Sequence, residues 1–268
     1  MTAKEQIIDL FRKNVKGKSP NVENRNPRHD GKKGHWLEEQ FGISANADNE
    51  ADLWGYELKN ETTSKTTFGD WSANIYVFTN PQYQALFEGQ NKAEKQNSFV
   101  KIFGKPNPQK GDRYSWSGSP CPKIGYNYCG QILEITPSKD IVALYSYSQD
   151  QRMDKANIIP QALQIENLEI ARWYGEHSPS SKRTDKCLKA KLEDKFNDKG
   201  WFTCKTNTAG KYEKICFGKP INYDEWLRLV IQGIVFFDSG MYEGNPRPYS
   251  QWRANNNLWD SLIIESYE

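Results

Sequence analysis

Apolar residues Ile7, Ile8, Leu10, Phe11 and Val15 recur at three- and four-residue spacings, which predicts an opening helix over Lys4–Lys13 with one apolar stripe and a charged far face. Lys16–Gly34 has no such period and reads as a basic arm rich in Lys, Arg, Asn, Pro and Gly. A short helix is expected from His35, carrying Trp36, Leu37, Glu38 and Phe41 and stopping at Gly42, whose missing Cβ suits a left-handed helix end. Asp52–Lys59 reads as a strand that begins irregularly and then alternates, and Ala73–Thr79 as another, with the Thr- and Ser-rich link between them as a hairpin. Gln131–Thr136 and Ile141–Ser148 form a further pair around Pro137-Ser138-Lys139-Asp140. Lys92–Tyr128 reads as loop. After Pro160 the pattern turns helical over Ala162–Trp173, Asp185–Phe196 and Tyr223–Gln232, followed by a buried strand at Gly233–Asp238 and a polar loop or irregular strand over Asn245–Asn257.

The chain has 268 residues with 37% hydrophobic and 13% aromatic content, sufficient for a folded core. Its longest apolar runs are a few residues, far below the roughly 20 of a membrane span. Charges inside the first apolar stretch and the lack of a small-residue cleavage site predict a cytoplasmic protein. Five cysteines without a C-x-x-C pair and three scattered histidines point to buried thiols rather than disulfides, zinc or covalent catalysis. A net charge of +2 conveys nothing until it is resolved by position. Arg12–Lys33 has eight basic residues against two acidic, a net of +6, and Lys182–Lys219 eleven against five, again +6. Glu38–Glu61 is −6 and the stretch from Asn222 to the end is −4. Segregated blocks of this kind fit phosphate-facing surfaces beside a cation-holding pocket.

That acidic block contains the informative stretch, Gly34-His35-Trp36-Leu37-Glu38-Glu39-Gln40-Phe41-Gly42-Ile43, then Asn46, then Asp52-Leu53-Trp54-Gly55-Tyr56-Glu57-Leu58-Lys59. In a strand, Glu57 and Lys59 project from one face and Tyr56 and Leu58 from the other. Gly55 lets the backbone bend, so Asp52 and Glu57 could converge on one hard cation, with the Leu58 carbonyl as a further oxygen. Such a site suits phosphodiester hydrolysis: magnesium on Asp52 and Glu57 offsets charge on the phosphate, and Lys59 orients or helps deprotonate water. Glu38, from the preceding helix, could bind a second metal or hydrogen-bond Lys59. Taken alone, Glu57 and Lys59 would read as an ordinary surface ion pair. Trp36, Trp54, Trp173 and Trp226 are expected in the core.

The D-x-x-x-x-E-x-K string resembles the active-site signature of PD-(D/E)xK nucleases, and L-E-x-x-x-G-I, then N, then D-x-x-G-x-E-L-K resembles the MvaI/BcnI group of restriction endonucleases and the related nickase MutH. Ala51 stands where that pattern often has proline. The resemblance covers about a tenth of the chain and assigns catalytic roles to Glu38, Asp52, Glu57 and Lys59. Near the carboxyl end, Gly233–Asp238 followed by Arg247-Pro248-Tyr249-Ser250-Gln251-Trp252-Arg253 is similar in layout to the recognition lobe of those enzymes. Arg247 and Arg253 could read guanine, position phosphates, or pair with Asp238 and Asp260, while Gln251 or Asn255 could pair with adenine. Tyr249, Lys186, Lys189 and His35 are further DNA-contact candidates.

The resemblance implies an α/β restriction-endonuclease fold, a mixed sheet flanked by helices in a two-lobed DNA clamp, with a catalytic lobe over 1–160 and a recognition lobe over 161–268. It implies a magnesium-dependent type II enzyme that cuts double-stranded DNA to 5′-phosphate ends, at a CC-x-GG type of site, as a monomer working beside a cognate DNA methyltransferase. Two rivals share parts of this pattern: a methylation-directed repair nickase would use the same site, and a non-catalytic DNA-binding module would use the basic blocks without the carboxylates.

Overall fold

The computed structural model describes residues 1–22, 31–44, 49–60, 64–116, 124–180, 182 and 185–268. The middle of the basic arm with His29, and Asn46 and Cys121, lie outside the described residues. Contacts divide the chain into two units, Met1–Thr66 with Lys191–Tyr223 and Ala254–Glu268, and Thr67–Ala190 with Asp224–Arg253. The contiguous division expected near residue 160 is therefore replaced by an interleaved one, because strands after residue 190 complete the sheet that the amino-terminal segment begins.

Helix α1 (Ala3–Leu10) starts at a capping box in which Thr2 Oγ1 accepts from Glu5 N and Glu5 Oε2 from Thr2 N. Helix α2 (Lys32–Gln40) begins three residues before its expected start, and the chain leaves it through Gly42 at φ 72°. Strand β1 is only Glu57–Lys59, the first half of the expected strand being a tight turn. The expected hairpin after it does not form: β2 (Lys65–Asp70) joins a different sheet, and Ala73–Thr79 yields only β3 (Ile75–Tyr76) and a helical turn.

The described part of Lys92–Tyr128 is not a loop. It contains helix α3 (Lys92–Phe103), whose first turn is capped by Asn91 and which buries Phe99, Val100, Ile102 and Phe103, then β4 (Lys105–Asn107) and β5 (Arg113–Trp116). Strands β6 (Cys129–Ile135) and β7 (Ile141–Asp150) form the expected antiparallel pair. A short helix α4 (Lys155–Ile158) follows. The helix expected over Ala162–Trp173 is instead a helical turn and strand β8 (Leu168–Trp173), which pairs with β7 and buries Leu168, Ile170, Ala171 and Trp173. Then come α5 (Leu188–Phe196), β9 (Trp201–Thr206), β10 (Tyr212–Gly218), α6 (Tyr223–Ile231), β11 (Val235–Asp238), β12 (Met241–Tyr242), β13 (Gln251–Asn255), α7 (Asn256–Ser261) and β14 (Ile263–Tyr267).

In the first unit one mixed sheet runs β1-β9-β10-β14, with β1 parallel to β9 and the other pairs antiparallel. One face packs on α1 and α2: Ile7, Ile8, Phe11, Trp36, Leu37 and Phe41 share a core with Tyr56, Leu58, Phe202 and Phe217. The other face carries Trp201, whose ring meets Trp259 at 5.0 Å, with Phe196 of α5 beside Trp259 at 6.1 Å. In the second unit the antiparallel sheet β3-β8-β7-β6 is joined by two three-stranded sheets, β11-β13-β2 and β12-β5-β4. Its core is aromatic, with Trp173 against Phe237 and Trp252 at 4.9 and 5.5 Å and Trp116 against Phe237 at 5.3 Å. Among the described residues no helix is long and apolar enough to cross a membrane, and Cys129, Cys187, Cys204 and Cys216 are buried free thiols.

Candidate active site

Strand β1 stands at the end of its sheet. Glu57 N donates to Gly200 O on the β9 side at 3.1 Å, so in the alternating backbone of a strand Leu58 turns its N–H and carbonyl off the open edge. The Leu58 N–H is taken there by Asp52 Oδ2 at 2.9 Å. This bond fixes the Asp52 carboxylate on the edge toward which the Leu58 carbonyl also points. Asp52 is delivered by a strapped segment: Asn49 Nδ2 donates to Lys191 O at 2.5 Å and Ala51 N to Asp194 O at 3.1 Å, both on α5.

The Leu58 side chain enters the core, so Glu57 and Lys59 face α5, as alternation requires. Both are buried, with 2% and 8% exposure. Lys59 Nζ is ion-paired with Glu57 Oε1 at 2.8 Å and lies 5.0 Å from the Phe196 ring centroid. Lys195 Nζ of α5 also donates to Glu57 Oε1 at 2.8 Å. Glu57 Oε2 is buried with no hydrogen-bond partner among the described residues, as is Thr203 Oγ1, whose residue pairs with Lys59 across the sheet. Leaving an oxygen of a buried carboxylate unsatisfied costs more than the roughly 1–3 kcal/mol of a neutral group, and a donor or cation beside it would offset that cost.

These surroundings separate the two carboxylates. Burial and the Glu57 charge push Asp52 from the ordinary 3.8 to about 6, against the opposing pull of Lys195 and Lys59. Burial also works against an ionised Glu57, but Lys59 and Lys195 outweigh it and hold its pKa below the usual carboxylate range. Burial lowers the Lys59 pKa, countered in part by Glu57. Asp52, Glu57 Oε2 and the Leu58 carbonyl are hard oxygen donors of the type that divalent magnesium takes, and the unsatisfied oxygen is what such an ion would complete.

Asp52, Glu57 and Lys59 are thus brought together, and the structure adds Lys195, whose place in a basic block suggests only phosphate contact or a solvated face. Its signal is helical spacing: Leu188, Leu192 and Phe196 anchor α5 to the core, and Lys195, three residues after Leu192, lies at the edge of that buried stripe in projection. Glu38 is half-buried on α2, one turn beyond Gly34, whose Cα faces Asn60 at the end of β1. Among the described residues no group of three or more His, Cys, Asp or Glu side chains forms a metal cluster. Glu39 and His35 are exposed on the same helix. Trp54, expected in the core, is 45% exposed.

In the second unit, Arg247 donates to Asp70 Oδ2 at 2.7 Å and lies over the Tyr249 ring at 4.3 Å. Arg253 Nη1 donates to Asp238 Oδ2 at 3.3 Å, while Asp260 pairs with Lys205. Gln251 and Arg253 share the half-buried face of β13, opposite the buried Trp252. Lys189 is ion-paired with Glu176 at 3.5 Å, and the Lys186 carbonyl accepts from Asn74. Asn255 is exposed at the end of β13.

Three comparisons bear on this geometry. Residues 15–267 match the family model described as LlaMI restriction endonuclease. Over 267 residues the chain is 61% identical to the type II restriction enzyme ScrFI of Lactococcus lactis subsp. cremoris, covering 99% of this chain and 98% of that one. Its fold matches restriction endonuclease MvaI, solved in complex with its cognate DNA substrate, with a TM-score of 0.57 at 14% identity over 98% of this chain and 95% of the other. The expected mixed α/β restriction-endonuclease fold is the one observed, and a carboxylate pair with a buried lysine on the edge of its sheet belongs here to a member of the LlaMI restriction endonuclease family, a type II restriction enzyme.

Proposed function

We propose that this enzyme hydrolyses double-stranded DNA with magnesium at the open edge of β1. Asp52, Glu57 and the Leu58 carbonyl would hold the ion, which when bound supplies Lewis acidity toward a phosphate oxygen. Lys59 orients the attacking water and places positive charge beside the phosphorus, and Lys195 keeps Glu57 ionised. Glu38 takes the auxiliary role, binding a second metal or orienting Lys59. Arg247, Tyr249, Gln251, Arg253, Lys186 and Lys189 serve the recognition side, with His35 and Asn255 as further contacts. Asp70 and Asp238 orient the two arginines for a CC-x-GG type of site. The enzyme works as a cytoplasmic monomer, leaves 5′-phosphate ends, and is partnered functionally by a methyltransferase that protects the host sites.

The observation that carries this reading is Glu57, a buried carboxylate with one oxygen shared by two lysines and the other unsatisfied. Digestion of a plasmid of known sequence with purified protein and magnesium, followed by mapping of the ends, is expected to give discrete double-strand cuts with 5′-phosphates. Glu57→Ala and Lys59→Ala should each lower cleavage by at least about a hundredfold, the scale of losing one electrostatic stabiliser. Undiminished cutting by either variant rejects the assignment.

A further inference from the structure

The turn that joins Asp52 to Glu57 is built around an unusual residue. Leu53 and Tyr56 exchange both backbone hydrogen bonds, at 3.0 and 2.9 Å, and the two residues between them have positive φ, 50° at Trp54 and 88° at Gly55. Two left-handed central residues define a type I′ turn, whose first position favours Asn, Asp or Gly. A bulky residue there is an outlier, since its Cβ crowds the backbone in the left-handed region. Trp54 nevertheless keeps 45% of its surface exposed. The turn is also immobilised. Lys199 Nζ donates to Trp54 O at 2.9 Å, Lys199 N donates to Gly55 O at 3.0 Å, and a Cβ at Gly55 would lie 2.0 Å from Asp198 Oδ2. The fold therefore holds a half-exposed indole on a clamped, conformationally costly turn, where Asn would sit at lower backbone cost.

Position supplies the reason. Trp54 is two residues from Asp52 and three from Glu57, so its Cα lies within about 7 and 11 Å of theirs by chain length alone. A phosphodiester bound at the β1 edge would bring its neighbouring nucleotide toward the turn that carries the indole. Resting on the active-site reading above, we propose that Trp54 is a substrate-positioning residue that packs its exposed indole face against the deoxyribose of the nucleotide adjoining the scissile phosphate. An apolar contact of this kind involves no phosphate charge. It fixes the sugar and hence the approach of the phosphorus to Lys59 and the carboxylates. Conformational strain retained beside a reacting centre is the expected signature of such a role.

The test uses the full-length enzyme and a duplex carrying the cleavage site mapped from its own digest. Trp54→Asn suits the turn while giving up the covered part of the indole, so its Tm should stay close to that of the wild type. Its single-turnover cleavage rate with magnesium, or its duplex affinity with calcium in place of magnesium, should fall roughly tenfold to a hundredfold, the range for burying an indole face. Trp54→Phe should recover most of the loss. Loss in either measure at a Tm close to that of the wild type, with recovery by Phe, carries the proposal. Wild-type values in both, or a fall in Tm that parallels the loss, overturn it. Glu57→Ala run alongside separates the two levels: if it cuts normally the site assignment fails, whereas normal cutting and binding by Trp54→Asn alone reject only the role of Trp54.

Discussion

Asp52 has an environment that disfavours its own charge. Its carboxyl titrates at about 6 in the folded protein against 3.8 ordinarily, because it is buried beside Glu57. Between those values the folded state binds more protons than the unfolded one, so its contribution to stability is full below about pH 4 and is lost as the pH rises through 6. A displacement of this size corresponds to roughly 3 kcal/mol. Asp52→Asn keeps an acceptor for the Leu58 N–H and removes the charge. In EDTA it should be more stable than wild type at pH 8, with the difference vanishing near pH 4. Magnesium should raise the wild-type Tm more at pH 8 than at pH 5 and leave Asp52→Asn nearly unaffected. Thermal melts of both proteins at the two pH values, with and without magnesium, measure this, and a pH-independent gap between them would refute it.

Helix α5 performs two tasks, closing the Glu57 face of the sheet through Leu192 and Phe196 and delivering Lys195 to Glu57. Lys195→Met preserves the apolar stem but strips Glu57 of one charge-assisted hydrogen bond, worth about 1.5–3 kcal/mol. Urea denaturation at pH 8 should show a loss of that order, accompanied by slower cleavage; unchanged stability would show that Lys59 alone sustains the buried charge. The elements of this site differ in how far they are legible in the sequence. Helices α1 and α2 and the Glu57/Lys59 alternation follow from local periodicity, and the approach of Asp52 to Glu57 follows from the bend that Gly55 marks. The pairing of Lys195 with Glu57 does not, since a lysine in a basic stretch reads as solvated until a distant strand comes beneath its helix. Helix α3 is hidden because Phe99, Val100, Ile102 and Phe103 gather at one end of a segment followed by Gly and Pro. Strand β8 reads as helix because Ile170 and Trp173 also fit a helical spacing. Trp54 departs from expectation for a different reason: large aromatics are usually buried, and the turn that exposes this one depends on φ values that spacing does not encode.

At the scale of the whole molecule, the catalytic signature lies in the first quarter of the chain but the sheet that supports it does not. Strand β1 contributes three residues, and its neighbour β9 with β10 and β14 comes from beyond residue 200. Leu58 and Tyr56 pack in a core that also needs Phe202, Ile215 and Phe217. The parallel pairing of β1 with β9 is long-range, so its loop-closure cost is met only when the whole unit forms. A fragment of residues 1–160 therefore contains Glu38, Asp52, Glu57 and Lys59 but lacks the strand that holds Glu57 and the helix that neutralises it. It should show no cooperative thermal transition for this unit and no magnesium-dependent cleavage. Adding residues 161–268 as a separate chain should restore cleavage to the extent that β9 and α5 can dock on β1. Circular dichroism melts and plasmid digestion by the fragment, alone and with its complement, decide the matter: a fragment that melts cooperatively and cuts by itself would mean that the unit needs none of the strands supplied by the second half of the chain.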